Sequence, residues 1–261
     1  MSLKKIGLAL VASLALGALM ASSASAAVET VAAQWYTGAG PTTLAVGTTK
    51  TVTGKVAEHP VIGKKGELTT TIATLPVKLT STGFECVGCT IQNKAVNGKK
   101  ETEPTTTEKA NVIAYGSGKI KFTGVTVDEP VNCTVKSSET GTAGVIETKD
   151  LVIHGDWMDT NKENSKAFIQ FLPKAGPTAA FASFFLEGEG CKAIKGTYNV
   201  TGSVFGESAN NTGVGAVTQN LTFSPAVQTT TGAQLKVGAN TANFTGTGAF
   251  SLSSEESFQI K

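Results

Sequence analysis

The sequence predicts an all-β fold: a single sandwich- or barrel-like domain of mainly antiparallel strands. Three observations carry that prediction. The 261-residue chain holds 38 Thr and 29 Gly, residue types that suit strands and turns better than helices. Charged residues are only 16% while 40% are apolar, so the low charge accompanies a chain able to close a core rather than a disordered one. Finally, short apolar alternations are separated by Gly, Asn, Pro and Thr clusters, and no long stretch repeats every 3.6 residues.

The chain opens on Lys4-Lys5, an apolar run from Ile6 to Met20, and a small-residue stretch ending Ala24-Ser25-Ala26. A basic start, an apolar middle and an Ala-x-Ala site form a secretory signal peptide, expected to be cleaved after Ala26. The expected localisation is therefore secreted, outside a bacterial cell, with residues 27–261 as one all-β domain. The run is short for a membrane span and no later run reaches spanning length, so no membrane insertion is expected. Loss of Lys4 and Lys5 leaves 20 Lys against 20 acidic residues, and the chain has no Arg. A neutral chain without the usual bidentate phosphate clamp is not a nucleic-acid binder.

The expected strands are Thr48 to Val56, Leu68 to Thr80, Lys119 to Val127, Gly144 to His154, Ala167 to Leu172, Ala179 to Leu186, Gly196 to Phe205, Ala216 to Phe223, Gln234 to Val237 and Ala242 to Leu252. Ala179 to Leu186 is apolar on both alternating faces, which reads as a central strand covered on both sides. Phe168, Ile169, Phe171 and Leu172 should share its core, with the turn Pro173 to Pro177 between them at hairpin length. A Val/Phe-Thr-Gly triplet recurs at residues 52–54, 122–124, 200–202 and 244–246. Its spacing is irregular, so it reads as bulges or tight bends rather than a fixed repeat. The polar stretch 97–109 is a surface loop or a sub-boundary, and 159–166 is a second such loop.

Four cysteines in an exported chain, Cys86, Cys89, Cys133 and Cys191, most simply make two disulfides, with three possible connectivities. A bridge within Cys86-Val87-Gly88-Cys89 needs a turn, because residues three apart on a straight strand face opposite sides; Gly88 permits one. Cys133 would then pair with Cys191 across a long loop. Redox catalysis would need a helix opening at the pair, whereas Thr90 to Asn93 reads as strand or turn. The other two cysteines stand alone, so no metal site is expected.

The densest polar cluster is His154-Gly155-Asp156-Trp157-Met158-Asp159. A His and two carboxylates beside a Trp are candidates for acid/base chemistry, sugar stacking or calcium ligation. His154, Asp156, Trp157 and Asp159 are therefore the ligand-site candidates, although their spacing fits no strong template and a strand ending in a turn explains them as well. Glu187 and Glu189 are the carboxylates that would complete a cleft with them. No nucleophile elbow, zinc helix or phosphate-cradling loop is present, so no catalytic residue and no cofactor is expected.

The segments Gly188-Glu189-Gly190-Cys191, Gly196-Thr197-Tyr198-Asn199-Val200-Thr201-Gly202-Ser203-Val204-Phe205-Gly206-Glu207, Leu221-Thr222-Phe223-Ser224-Pro225-Ala226, and the tail from Leu235 to Leu252 resemble a group of secreted β-rich proteins present as multiple paralogues in soil actinobacteria. The resemblance covers the leader and much of 118–261. It implies export, a β fold and a Cys near each of positions 133 and 191, and it implies no activity. The expected function is a non-catalytic extracellular or envelope-associated binding or structural protein. Its expected partners are cell-envelope or polysaccharide components, or further copies of itself. The alternative is a carbohydrate-binding protein or hydrolase that uses the 154–159 cluster.

Overall fold

A computed structural model describes residues 31–38, 40, 42–56, 66–96, 111–157, 167–208 and 216–260. The leader and the polar stretches 97–109 and 159–166 lie outside the described residues.

Eight strands close an antiparallel barrel: β4 (Lys50–Val56), β7 (Gly83–Val96), β8 (Asn111–Thr123), β12 (Leu151–Trp157), β13 (Ala167–Pro173), β16 (Val204–Ser208), β17 (Thr218–Phe223) and β19 (Asn240–Leu252). They pair in that order round the circuit, and β19 returns to β4. Closure removes the sheet edges, and at this strand number the interior is just wide enough for side chains to fill it. Strands β7 and β8, on either side of the 97–109 stretch, are neighbours in this one barrel.

A second antiparallel sheet grows from the same barrel. It comprises β5 (Gly66–Ile72), β6 (Leu75–Ser81), β9 (Thr126–Glu129), β10 (Thr134–Lys136), β14 (Ala180–Glu187), β15 (Gly196–Gly202) and β18 (Leu235–Val237), in the order β9-β6-β5-β19-β18-β15-β14-β10. Strand β19 belongs to both sheets. Its first three residues pair with β18, Asn243 to Thr245 pair with β5, and from Gly246 onward it pairs with β17 and then β4. Its even-numbered residues from Ala242 to Leu252 all face inward, as period-2 alternation requires. The short strand β11 (Ile146–Glu147) pairs with β8, and a bridge from Thr148 to Ala182 ties it to β14. The second sheet thus wraps one end of the barrel.

The other end is plugged by β2 (Trp35–Thr37), β3 (Thr42–Thr43) and β20 (Phe258–Ile260), while β1 (Val31–Ala32) extends β12. Trp35 and Phe258 are buried there with their ring centroids 6.1 Å apart. Buried amide side chains supply the hydrogen bonds that no strand provides. Asn93, fully buried, accepts from Trp35 N–H at 2.7 Å and donates to the carbonyls of Trp35 (2.9 Å) and Leu44 (2.7 Å). Gln219 donates to Phe258 O and accepts from Ser208 Oγ. A helix, α1 (Pro225–Thr231), lies outside β16, capped by Ser224 Oγ at its start and closed by Gly232 in the left-handed region. From α1, Gln228 accepts from Phe205 N–H at 2.9 Å and donates to Phe205 O at 2.7 Å. These backbone groups need it because β16 pairs with β17 only at Glu207 and Ser208.

Where structure and expectation differ, the reasons are local. The expected strand Leu68 to Thr80 is a hairpin, β5 and β6, turning at Ala73 and Thr74 with φ of 46° and 72°. Such tight turns normally carry Asn-Gly or Asp-Gly, so this pair gives no signal. The turn Pro173 to Pro177 does not make a hairpin: β13 pairs with β12 and β16, and β14 with β10 and β15. It carries the chain from barrel to second sheet. Ile169 and Phe171 share the main core with β14, but Phe168 faces outward into a separate cluster with Phe205 and Val227 under α1. β14 is a central strand buried on both faces, as expected. Three of the four triplet glycines mark corners: Gly124 (φ 56°) follows β8, Gly202 (φ 99°) ends β15, and Gly246 (φ 150°) stands where β19 changes sheets, whereas Gly54 lies in regular register within β4.

Two stability measurements check this account by equilibrium denaturation. Replacing Ala73-Thr74 by Asn-Gly relieves two unfavourable positive-φ residues and should raise stability by about 1 kcal/mol. Gln228→Ala strands two backbone groups and should lower it by roughly 2–4 kcal/mol, whereas Gln→Ala at a solvent-facing position should cost under about 0.5 kcal/mol.

Candidate ligand cavity

Between the barrel and the second sheet lies an apolar cavity of about 100 Å³. Eight of the chain's twelve phenylalanines line it: Phe84, Phe122, Phe171, Phe181, Phe184, Phe223, Phe244 and Phe250. Six of them form a closed circuit of aromatic neighbours. Ring centroids lie 6.3 Å apart from Phe84 to Phe122, 5.8 Å to Phe244, 5.2 Å to Phe223, 5.9 Å to Phe171, 6.1 Å to Phe250, and 5.4 Å back to Phe84. All are tilted or edge-to-face, the arrangements that the ring quadrupole favours. Phe181 and Phe184 of β14, with Val200 and Leu235, complete the wall from the second sheet.

Glycines make the circuit possible. A Cβ on Gly54 or Gly248 would lie 2.8 Å from the Phe84 ring, and one on Gly206 would lie 3.0 Å from Phe223. The Phe84 and Phe223 rings are therefore seated on bare backbone of other strands. The polar groups at the wall are few and unreactive. Ser81 Oγ donates to Gly66 O at 3.3 Å, and among the described residues no charged side chain lines the cavity. Such a wall favours apolar guests; an engineered apolar cavity of about 150 Å³ holds benzene or xenon.

A smaller cavity of about 30 Å³ lies deeper in the barrel. Phe171 and Phe250 belong to the walls of both, so they partition the interior. Cys86 and Cys89 line the inner one. In the structure these two are free thiols, unlike the bridge expected between them. Cys133 and Cys191 form a disulfide with Cα atoms 5.5 Å apart, across 58 residues of chain. A 3-10 turn from Glu189 to Ile194 holds Cys191 fully buried. The neighbouring Cys89 thiol, and then burial, push the Cys86 thiol far above its usual range, while the Cys86 thiol pulls Cys89 below its own.

Of the 154–159 cluster, His154 lines neither cavity. His154 sits half-buried on β12, cross-strand from Tyr115 and Gln170. Its ring is 5.9 Å from that of Tyr115, and Lys94 Nζ stands 4.7 Å over the same Tyr ring. Asp156 and Trp157 are placed in the backbone at the end of β12, paired with Phe168 and Ala167. Their side chains, and all of Asp159, lie outside the described residues. Glu187 belongs to β14 of the second sheet, opposite Thr134, whereas Asp156 belongs to β12 of the barrel, opposite Phe168. Glu187 is instead paired with Lys136 at 2.6 Å and Glu189 with Lys192 at 2.5 Å. Among the described residues no group of three or more His, Cys, Asp and Glu is placed to hold a metal ion.

Sequence reasoning passed over the phenylalanines. The signal was present in Phe244-Thr-Gly-Thr-Gly-Ala-Phe250, where strand alternation puts Phe244, Gly246, Gly248 and Phe250 on one face. Compared with family models, curated proteins and solved structures, the chain matches none of them.

Proposed function

We propose that this chain is an exported, non-catalytic binding protein that holds a small apolar molecule between its barrel and its second sheet. One observation carries the reading: a phenylalanine-lined cavity of about 100 Å³ at the junction of the two sheets. An unfilled space of this size costs stability, because the wall atoms lose contacts that a packed core would keep. A guest that restores those contacts gains the same free energy on binding. The wall offers neither an acid/base group nor a charged anchor, so the guest is hydrocarbon-like where it is enclosed. Export rests on the leader sequence. Placement at the cell envelope is the natural setting for a carrier or sensor of such molecules.

The sugar-binding alternative rests on the 154–159 cluster and gains less support. Its stacking ring, Trp157, has a side chain outside the described residues, whereas the rings that line the cavity are in place.

The test is thermal unfolding of the purified protein titrated with toluene. Saturable stabilisation is expected, reaching about 2.7 kcal/mol at one hundred times the dissociation constant. Leu68→Trp, which fills the cavity from β5, should abolish the response while leaving the protein folded. No response to toluene, benzene or xenon, combined with retention on polysaccharide or cell-wall fractions, would replace this reading with the alternative.

A further inference from the structure

The thiols of Cys86 and Cys89 play no part in holding a guest, yet the fold goes to some length to bring them together. Val87 pairs with Lys119 and Thr90 with Ser117, so Gly88 and Cys89 together stand opposite the single residue Gly118. This is a β-bulge with Gly88 in the left-handed region at φ 62°. Without the extra residue, positions 86 and 89 would face opposite sides of β7. With it, both side chains turn into the barrel and line the inner cavity. Neighbouring strands leave room for them. A Cβ on Gly118 would lie 2.8 Å from Cys89 Sγ, and one on Gly54 would lie 3.2 Å from Cys86 Sγ. Cys89 Sγ donates to Lys119 O at 3.5 Å, and the two thiols shift each other's acidity.

We propose that Cys86 and Cys89 are a redox pair that closes to an internal disulfide by exchange with a low-molecular-weight disulfide. Cys89 is 1% exposed and Cys86 is half-buried, so Cys86 is the sulfur that meets the oxidant. Cys89 ionises first and takes the Cys86 proton as Cys86 Sγ attacks one sulfur of the small disulfide, whose S–S bond breaks and whose first departing thiolate picks up the proton that Cys89 released. Cys89 Sγ then attacks Cys86 Sγ and expels the second thiolate, which takes the Cys89 proton. Two S–H bonds become one Sγ–Sγ bond, and two electrons pass to the oxidant, which leaves as two thiols. Position sets the consequence: the Gly54 site lies within 3.3 Å of Cys86 Sγ and of the Phe84 and Phe250 rings, so closure acts next to the aromatic circuit.

The experiment starts from the full protein reduced under native conditions, then exposed to oxidised glutathione, denatured, alkylated and mapped by peptide mass. The expected peptide carrying both residues is lighter by two hydrogens and takes up no alkylating reagent. A doubly alkylated peptide, a stable glutathione adduct, or a link from Cys86 or Cys89 to Cys133 or Cys191 would each overturn the proposal. Gly88→Val, which disfavours the left-handed backbone of the bulge, should slow closure roughly tenfold or more, with the fold monitored by circular dichroism. Cys89→Ser, which conserves size, should instead stop at the glutathione adduct on Cys86; closure at an unchanged rate in Gly88→Val would remove the bulge from the account.

Discussion

Phenylalanine rings resting on glycine backbone are the contact on which the rest of this molecule depends. A closed eight-stranded barrel leaves an interior only wide enough for side chains, and six Phe rings at one level would overfill it if the facing positions carried side chains of their own. Gly54, Gly206 and Gly248 remove that conflict. The aromatic circuit can then form, and it stands where the barrel meets the second sheet. Above it, β14, β15 and β18 wrap round without filling the space. The cavity is therefore a by-product of geometry: a flat-sided aromatic layer below, a curved sheet above, and glycine-bearing β19 passing through both.

The all-β class was legible in the sequence because composition and alternation are local properties. Strands with strong alternation, such as β4, β13, β14, β17 and β19, lie where expected. What was hidden depends on partners distant in sequence. The β5–β6 turn uses Ala73 and Thr74 in backbone states their side chains disfavour, held by seven register pairs between the strands. Strand β7 is interrupted by its own bulge, and Gly88 there reads as a break rather than as part of a strand. Helix α1 had a cap at Ser224, Pro225 at its start and Gly232 at its end, but seven residues are too few for a periodicity to show.

The candidate site was less legible, for a physical reason. Titratable clusters draw the eye because most binding chemistry is polar, so His154, Asp156, Trp157 and Asp159 stood out. An apolar cavity is made of residues that look like core, and a core phenylalanine differs from a cavity phenylalanine only in what lies beyond it. Phe84, Phe122 and Phe244 are partly rather than fully buried, a distinction no sequence pattern encodes. The cysteines fall between these cases. The turn needed at Val87-Gly88 could be inferred from strand geometry, whereas the glycines that accommodate the sulfurs, Gly54 and Gly118, lie on other strands.

Strand β19 is one covalent segment hydrogen-bonded to four different strands, β18, β5, β17 and β4. Neither sheet can therefore detach without withdrawing a strand from the other. Two architectural units that would otherwise open independently are fused into a single cooperative unit, and amide hydrogen exchange should report one common opening free energy along β19. Such fusion removes the partly open states through which proteases act. It also means that a guest bound between the sheets stabilises the whole molecule rather than one face of it.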